Sequence, residues 1–465
     1  MSLNTEANAL QDAQPLTRGI ARLRVPTKLR NLELALLIFA CAINTCAVVL
    51  VQLGALGHTD ITVITYAAVP AALVMGMHIA LRFVAPGADP FLLPIATLLT
   101  GLGIAEIYRI DLHYGVTGFE AGGIKQIMWA AVAIACALGV IIGIRNHRVL
   151  QRYTYIFGFA ALLLLLLPMA PGIGKSEYGA RVWIGIGPFS FQPGEIAKLC
   201  LAVFFAGYLV RARESLSSAG RKILGIQLPR ARDLGPLLVM WLASMTVIIL
   251  QHDLGTGLLM FGLFLVMLYV ATGRTGWVVL GVLLILGGGL VASKALPYVH
   301  DRFANWLTPF SEQVYNRQGG SFQLVQGIFG LAQGGLIGTG LGQGQPWITP
   351  VARSDYIIAS LGEELGLIGL FAIFALYLVF VARGIRIGFA GHDDFGKLLA
   401  VGLSFTIGLQ TFIVIGGVTR VIPLTGLTTP FLAAGGSSLV ANWIIVGLLL
   451  RLSDSIRNQP QLVVG

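Results

Sequence analysis

Long apolar runs constrain this chain more than any other feature of its sequence. Stretches of about 18 to 25 mostly apolar residues recur along it, the length that crosses a bilayer as an α-helix. Backbone groups in hydrocarbon must be satisfied within the segment, so helices are expected. The fold class predicted is an all-α polytopic membrane protein. The twelve predicted spans lie near 31–53, 62–84, 90–108, 124–144, 153–171, 190–210, 236–251, 255–272, 276–293, 356–382, 398–417 and 432–450.

Composition and charge agree with this interpretation. Hydrophobic residues make up 56% of the chain and charged residues only 11%, against roughly 25% charged in soluble domains. With both ends cytoplasmic, 21 of the 31 Lys and Arg residues fall on the cytoplasmic side and nine on the outer side. Positive residues favour the cytoplasmic side. The net charge of +10 therefore indicates topology and contact with anionic membrane lipid, and no nucleic-acid partner is expected.

Cysteine and histidine patterns give no sign of a preassembled metal site. The four cysteines fall inside predicted spans without a CxxC pair, and the seven histidines show no HExxH or other ligand spacing. The cysteines are expected to pack as small hydrophobic side chains. "GHDDFGKL" at 391–398 imitates a phosphate-binding loop, but Leu398 replaces the hydroxyl residue that such a loop needs. No organic cofactor is expected.

The longest predicted connection, 294–355, lies on the outer side. Loops beyond about 15 residues are usually functional or disordered. Within it, 316–346 contains ten glycines and six glutamines, and "FQLVQGIFGLAQGGLIG" is expected to form an interfacial or re-entrant helix. Small and amide residues permit irregular backbone beside a watery cavity. They also permit close helix packing, and both interpretations stay open.

Ionisable residues inside apolar spans are costly and are usually functional. Glu195 and Lys198 are spaced i, i+3 on one helix face, where they can pair. They form either a structural ion pair or part of a site for an anionic headgroup. Asp253 lies at an outer helix junction and Asp355 just before a span. For the adjacent glutamates at 363–364, a packing or polar-network role is favoured over a direct one.

Five ordered motifs resemble the SEDS family of shape, elongation, division and sporulation proteins. The resemblance covers roughly 120–453, and the extra N-terminal helices resemble its actinobacterial RodA-type members. The motifs are "ARVWIGIGPFSFQPGEIAKL" (180–199), "QHDLGTGLL" (251–259), "WLTPF" with "GGSFQLVQGIFGLAQGGLIGTGLGQGQ", "SDYIIASLGEELGLIG" (354–369) and "TGLTTPFLAAGGSSL" (425–439).

The resemblance implies a domain organisation. Residues 1–30 are expected to be a cytoplasmic tail, 31–108 to hold two extra N-terminal membrane helices ahead of the usual ten, and 454–465 to be a second cytoplasmic tail. The SEDS glycosyltransferase core is expected at 109–453, with the large extracellular loop at 294–355.

The resemblance also implies an activity, a peptidoglycan glycosyltransferase in the bacterial cytoplasmic membrane. Such enzymes polymerise lipid II on the outer face and work with a class B penicillin-binding protein. A divalent cation, Mg²⁺ or Mn²⁺, could neutralise the departing pyrophosphate, but its ligands are not identified. A lipid II flippase or a non-catalytic cell-wall scaffold are the alternative functions.

Glu312 is the predicted catalytic residue. A carboxylate is needed to remove the proton of the attacking sugar hydroxyl. In the family this loop usually reads like W-x-P-W-x-D-P, and Glu312 stands at the matching distance after Pro309 in place of the aspartate. Asp301 and Asp355 are the rival carboxylates, and Asp355 better fits a structural or substrate-positioning role.

The remaining candidates are expected to close around one outward-facing cavity, positive at headgroup depth and open to lipid below. Positive charge would come from Arg181, Lys198, Arg302 and Arg420, and aromatic rings would suit the rim. The predicted substrate-binding residues are Arg181, Trp183, Glu195, Lys198, Asp253, Trp306, Pro309, Gln323, Asp355, Arg420, Ser437 and Ser438.

Overall fold

The computed structural model describes residues 27–177, 180–186, 189–217, 222–223, 226–227, 231–391 and 393–457. Most of the two predicted tails, 1–26 and 458–465, therefore lies outside the described residues. The helices are α1 Thr27–Leu56, α2 Ile61–Val84, α3 Leu92–Tyr114, α4 Gly122–Gly143, α5 Arg148–Arg152, α6 Thr154–Leu166, α7 Pro193–Ser217, α8 Ala231–Leu250, α9 Leu254–Thr272, α10 Gly276–Ala295, α11 Pro297–Leu307, α12 Glu312–Tyr315, α13 Phe322–Gly334, α14 Ile357–Ala390, α15 Asp394–Val418 and α16 Gly436–Arg457.

Within these described ranges, nine helices are long and apolar enough to cross a membrane. Three shorter apolar helices, Ala68–Val84, Thr154–Met169 and Leu238–Leu250, lie at three further predicted spans. All twelve predicted positions are thus occupied by apolar helix. The number that cross the membrane remains a prediction.

Burial distinguishes central from peripheral helices. In the apolar windows of α7 and α16, 83% of the residues are buried, against 6% for α10. Both central helices carry polar side chains inward, including Lys198 and Asn442, which are 2% and 0% exposed. The centre of the bundle is therefore where charged groups can be kept from lipid, and α10 presents most of its surface to the surroundings.

Polar contacts join connections that are predicted to lie on the same side of the membrane. On the predicted cytoplasmic side, the amide of Gly87 donates to Asp454 at 2.7 Å. On the predicted outer side, Arg353 approaches Asp111 at 3.7 Å. The alternating topology requires such segregation, because connections on opposite sides cannot meet across the bilayer.

Helix α14 is broken at Gly366, where φ is 68° and ψ is −174°. The segment that follows α13 supplies hydrogen bonds on both sides of the break. The amide of Leu367 donates to the carbonyl of Gly335 at 3.0 Å, and the amide of Gly340 donates to the carbonyl of Glu364 at 3.0 Å. Broken helices are tolerated at membrane depth where protein satisfies the freed groups.

Glycine permits this close approach between backbones. A Cβ atom on Gly334 would lie 2.1 Å from the carbonyl oxygen of Gly362. A Cβ atom on Gly338, whose φ is +82°, would lie 2.2 Å from the carbonyl oxygen of Glu364. In this part of 316–346 the glycines pack against a helix, and α13 is the helix that the sequence predicted in this loop.

The all-α prediction omitted a small sheet in the segment before α7. Strands β1 Gly174–Glu177, β2 Ala180–Ile186 and β3 Phe189–Phe191 form an antiparallel sheet in that order. Lys175 pairs with Trp183 and Ile184 with Phe191. These strands are short and lie between spans, so they carry no apolar run that a search for membrane helices can find. A second antiparallel pair joins β4 Lys222–Ile223 to β5 Ile226–Gln227.

The two N-terminal helices are fixed to each other and to the rest of the bundle. Glu33 accepts hydrogen bonds at 2.6 Å from both Arg30 and His78, which joins α1 to α2 in a buried contact. At the other end of α1, a Cβ atom on Gly54 would lie 2.4 Å from the carbonyl oxygen of Leu341. Helix α1 therefore packs directly on residues 334–344, which are called the glycine-rich segment below.

Gly338→Ala tests the role of close backbone contact at the break. The new methyl group would meet the Glu364 carbonyl, and the left-handed backbone alone costs about 1–2 kcal/mol for an L-residue. We expect a lower melting temperature for the purified protein in detergent. Gly139→Ala in α4, where nothing lies within 4 Å of the added Cβ, is the matched control and should leave stability unchanged or raise it by up to about 1 kcal/mol. Equal melting temperatures for the two variants would contradict the packing role.

Candidate functional site

The first element of the site is a buried ion pair on the opening turns of α7. Lys198 Nζ lies 2.5 Å from Glu195 Oε2, and the two residues are 2% and 6% exposed. Lys198 also donates to Gln410 Oε1 at 2.9 Å. A buried charge at membrane depth is costly unless it is paired and hydrogen-bonded. The i, i+3 spacing thus produces the pairing that the sequence indicated.

Polar side chains from three other segments extend this pair. Asn442 on α16 lies 3.5 Å from Lys198 Nζ and donates to Ser438 Oγ at 3.3 Å. Thr428 donates to Ser438 Oγ at 3.0 Å, and Gln410 donates to the Thr428 carbonyl at 2.8 Å. Lys198 and Ser438 therefore belong to one hydrogen-bond network. The hydroxyl of Ser437, also buried, finds no partner among the described residues.

A second group of charges lies where α9, α11 and α14 meet the outer connections. Asp253 caps α9 by accepting from the Thr256 amide at 3.0 Å. Arg302 on α11 donates to the Leu424 carbonyl at 3.0 Å. A Cβ atom on Gly426 would lie 3.8 Å from Arg302 Nη2 and 3.8 Å from Asp355 Oδ2. Gly426 therefore borders both the guanidinium and the carboxyl group.

Electrostatic effects connect the two groups. Burial raises the pKa of Asp355 to about 6, while the Arg302 guanidinium opposes the shift. Burial likewise raises the pKa of Asp253, which also feels the negative charge of Glu195 and the positive charge of Arg302. Charges from residues far apart in the sequence are therefore close enough to influence each other.

The two groups of charges are together called the charged centre below. Trp306 and Arg420 lie outside it and hydrogen-bond to each other. The Trp306 indole donates to the Arg420 carbonyl at 3.1 Å, and Arg420 donates to the carbonyls of Trp306 at 2.9 Å and Leu307 at 3.2 Å. The guanidinium also lies 5.9 Å from the Phe310 ring centre. Arg420 was expected to present a cation to substrate, and two of its side-chain donors already bind carbonyls at the end of α11.

Pro309 and Gln323 also hold the loop. The Pro309 carbonyl accepts from Ser321 Oγ at 2.5 Å, and Gln323 donates to the Pro350 carbonyl at 3.1 Å. These contacts fix the path of the chain around α13. They assign both residues a part in shaping the loop, and direct substrate contact stays a prediction.

Glu312 is exposed at the first residue of α12. It is not among the charges that act on Asp253 or Asp355. The rival Asp301 pairs with Arg317 at 2.7 Å. The catalytic role of Glu312 therefore remains a prediction from its motif.

Arg181 and Trp183 lie on β2, where Arg181 is exposed and Trp183 half-buried. The Arg181 amide donates to the carbonyl of Gln251 at 3.2 Å. This contact places the strand beside the segment that leads to Asp253. Two sets of candidates are joined through contacts or charge effects. One contains Glu195, Lys198, Asp253, Asp355 and Ser438, and the other is the pair Trp306 and Arg420.

Sequence reasoning left Arg302, Gln410, Thr428 and Asn442 out of the predicted site. Gln410 and Asn442 carried a usable signal, because amide side chains are unusual in apolar runs and often hydrogen-bond between helices. Arg302 was counted only as a source of positive charge. Its position beside Asp355 depends on how α11 folds back, which the sequence pattern does not show.

A family profile matches most of the chain, from residue 90 to residue 458. It describes the FtsW/RodA/SpoVE family, "Cell cycle protein". This chain belongs to the FtsW/RodA/SpoVE family. The matched region includes α3, and helices α1 and α2 precede it.

Curated relatives in the family carry related names. The peptidoglycan glycosyltransferase RodA of Mycobacterium tuberculosis (strain ATCC 25618 / H37Rv) is 44% identical over 436 residues, covering 93% of this chain and 92% of the relative. The stage V sporulation protein E of Bacillus subtilis is 34% identical over 372 residues, covering 78% and 96%. The probable peptidoglycan glycosyltransferase FtsW of Geobacter metallireducens is 32% identical over 375 residues, covering 80% and 96%.

Two solved structures share the fold. One chain comes from a study of the structural coordination of polymerization and crosslinking by a peptidoglycan synthase complex, with a TM-score of 0.61, 24% identity and coverage of 79% and 98%. The Thermus thermophilus rod shape determining protein RodA has a TM-score of 0.52, 24% identity and coverage of 80% and 98%. With its apolar helices, this chain is a multi-pass bacterial membrane protein.

Substitutions in the buried pair test how it contributes to stability. Lys198→Met leaves Glu195 as an uncompensated buried charge and should lower the free energy of unfolding by about 3–5 kcal/mol. The double variant Lys198→Met/Glu195→Gln should recover much of that loss in thermal denaturation. Lys125→Met provides the control, because its pair with Glu120 is exposed and such pairs contribute little. A double variant as unstable as the single one would contradict an ion-pair contribution.

The raised pKa of Asp355 predicts a pH dependence. The folded protein holds this proton up to about pH 6, whereas an unfolded aspartate releases it near about pH 4. The contribution of Asp355 is therefore full below about pH 4 and is lost as pH rises through about 6. Asp355→Asn should flatten the melting-temperature profile in this window. Asp301→Asn, at a partly exposed ion pair, is the control, and unchanged profiles for both variants would refute the assignment.

Proposed function

We propose that this chain is a peptidoglycan glycosyltransferase that polymerises lipid II on the outer face of the cytoplasmic membrane during cell-wall growth. The names of its relatives support the activity. The observation that carries the proposal is the convergence of two charged groups at the predicted outer ends of membrane helices. One is the Glu195–Lys198 pair, and the other contains Asp253, Arg302 and Asp355.

This arrangement suits the substrate chemistry. Lipid II has a pyrophosphate at headgroup depth between its sugar and its polyprenyl tail. A sugar hydroxyl attacks the anomeric carbon, and the bond to the lipid pyrophosphate breaks. Lys198 and Arg302 supply cations whose charge can stabilise the departing pyrophosphate. Both are already close to carboxylates, which keeps these cations at membrane depth before the substrate binds.

Glu312 is the proposed general base, because its motif position corresponds to the carboxylate of the family. Its exposure leaves it accessible to the attacking hydroxyl, and movement of the loop can deliver it to the charged centre. Asp355 remains the rival, since a general base works best when its pKa lies near the operating pH. The pKa of Asp355, about 6, satisfies that condition.

A divalent cation is proposed only as an addition to the substrate complex. In the described part of the chain, no group of three or more His, Cys, Asp or Glu residues has the arrangement of a metal site. Mg²⁺ often binds through one or two carboxylates together with substrate phosphates. Asp253 and Asp355 are the carboxylates suited to that role. The ion would supply positive charge for the departing pyrophosphate.

The proposed protein partner is a class B penicillin-binding protein that crosslinks the new glycan. The structural similarity to a chain from a peptidoglycan synthase complex supports this partner class. Lipid II and bulk membrane lipid are the other proposed partners.

Purified protein in detergent, supplied with lipid II and Mg²⁺ or Mn²⁺, tests the activity directly. Glycan strands resolved by gel electrophoresis would support the glycosyltransferase. Movement of lipid II across vesicle bilayers without polymer would instead support the flippase alternative. Absence of both activities, with polymerisation by a partner enzyme raised on addition of this chain, would support a scaffold.

Glu312→Gln and Glu312→Asp test the proposed base. Glutamine preserves size but removes basicity, so polymerisation should fall by about 10²-fold or more. Aspartate restores the carboxylate of the family motif and should retain more activity. Glu120→Gln, an exposed carboxylate outside the site, should behave like the unaltered protein. If Glu312→Gln polymerises normally while Asp355→Asn does not, the base is Asp355.

A further inference from the structure

Glu106 is a buried acidic residue outside the charged centre described above. It lies on α3, about two helical turns before the outer end of that helix, and is 1% exposed. Both of its carboxyl oxygens are buried and find no hydrogen-bond donor among the described residues. A carboxylate without a donor at this depth is one of the most costly groups that a protein can bury.

The group within hydrogen-bonding reach of Glu106 is another carboxyl, that of Glu364 on α14. The oxygens of Glu364 already accept from three donors. These are the amide of Gly342 at 2.9 Å, the amide of Gly344 at 3.3 Å and Arg109 Nε at 3.2 Å. Glu364 is therefore arranged as an ionised acceptor, and Glu106 faces it with nothing to donate.

The surrounding charges do not neutralise the carboxyl groups of Glu106 and Glu364. The charged groups that act on Glu106 are Arg109 on its own helix and Glu363 and Glu364 on α14. Glu363 accepts from the Gln345 amide at 2.7 Å, so it too has the partner of an ionised group. Three acidic side chains thus share one guanidinium. Two buried carboxylates that share one site do not both remain ionised.

Aromatic rings lie beside the guanidinium of Arg109. Trp347 stacks on His113 with ring centres 3.8 Å apart, and Arg109 lies 4.8 Å from the centre of the Trp347 ring. Burial limits hydration of the carboxyl groups, because Glu106 and Glu364 are each 1% exposed. A bound proton, which needs little space, can meet the deficit without opening the cluster.

We propose that Glu106 and Glu364 bind one proton between them. The protonated Glu106 carboxyl donates to Glu364, which supplies the missing donor and removes one negative charge. The remaining carboxylates keep their contacts with Arg109 and with the amides of the glycine-rich segment. This proton-binding site is independent of the proposed glycosyltransferase activity.

The site connects three parts of the fold. Glu106 belongs to α3 and Glu364 to the first part of the broken helix, while Gly342 and Gly344 belong to the segment that packs on the break. Loss of the proton leaves two buried negative charges acting on each other at this junction. The bound proton therefore stabilises the attachment of the glycine-rich segment to α3 and α14.

Infrared difference spectroscopy at about pH 8 tests the proposal. Ordinary Asp and Glu side chains are ionised there, because their pKa values lie near about 4. The unaltered protein should show the carbonyl band of a buried protonated carboxylic acid, shifted in D₂O. Glu106→Gln should lose the band, since its amide can donate to Glu364 without a proton. Glu120→Gln, which changes an exposed carboxylate, should retain it.

Stability provides a second readout. The folded protein would hold a proton that the unfolded chain releases at this pH. Its unfolding equilibrium constant should therefore rise by up to about tenfold per pH unit above neutrality, and Glu106→Gln should show a shallower rise. An unaltered protein without the acid band at about pH 8 would overturn the proposal. So would a band that survives in both Glu106→Gln and Glu364→Gln.

Metal binding gives a distinguishable result. If Mg²⁺ or Ca²⁺ stabilises the unaltered protein but not Glu106→Gln, and the acid band is absent, the site binds a metal cation and the proton assignment is wrong. The spectrum of the unaltered protein requires no substitution. The absence of the acid band can therefore overturn the proposal even if a variant fails to fold. Failure of lipid II polymerisation would leave this result unaffected.

Discussion

Backbone polar groups at membrane depth need partners from the protein, and the break at Gly366 sets this requirement for the fold. The break leaves backbone amide and carbonyl groups on either side of Gly366 without their usual helical partners. The chain meets the requirement with residues 334–344, whose glycines approach the helix closely enough for backbone hydrogen bonds. Side chains larger than hydrogen would separate the two segments at Gly334 and Gly338. The unusual composition of this stretch follows from that contact.

The same arrangement explains why acidic side chains occur in an apolar helix. Glu363 and Glu364 immediately precede the break, and their carboxyl groups accept from amides of the glycine-rich segment. The polar-network interpretation of these glutamates is confirmed by those contacts. Because α14 begins at Ile357, two residues after Asp355, the order of its first turns also influences where that carboxyl lies relative to Arg302. The charged centre thus depends on a helix whose break is stabilised by hydrogen bonds from the glycine-rich segment.

The sequence predicted the helical elements better than their contacts. Apolar length gave all twelve helix positions, and i, i+3 spacing gave the Glu195–Lys198 pair. The sequence pattern did not show that Arg302 lies near Asp355, because their proximity depends on how the outer connection folds over the bundle. The strands before α7 were missed because they are short and lie outside apolar runs. Gln410 and Asn442 were visible as amides in spans, but only the packed bundle shows that both reach Lys198.

The contact between α1 and the glycine-rich segment has a consequence during synthesis. Arg30, Glu33 and His78 belong to the first two helices, so their buried contact can form early. Gly54 must wait for Leu341, which leaves the ribosome roughly a quarter of a minute to a minute later at about 5–20 residues per second. Until then the outer end of α1 faces lipid or other helices. The two ends of this first hairpin therefore mature at different times, with the cytoplasmic end settled long before the outer end reaches its final neighbours.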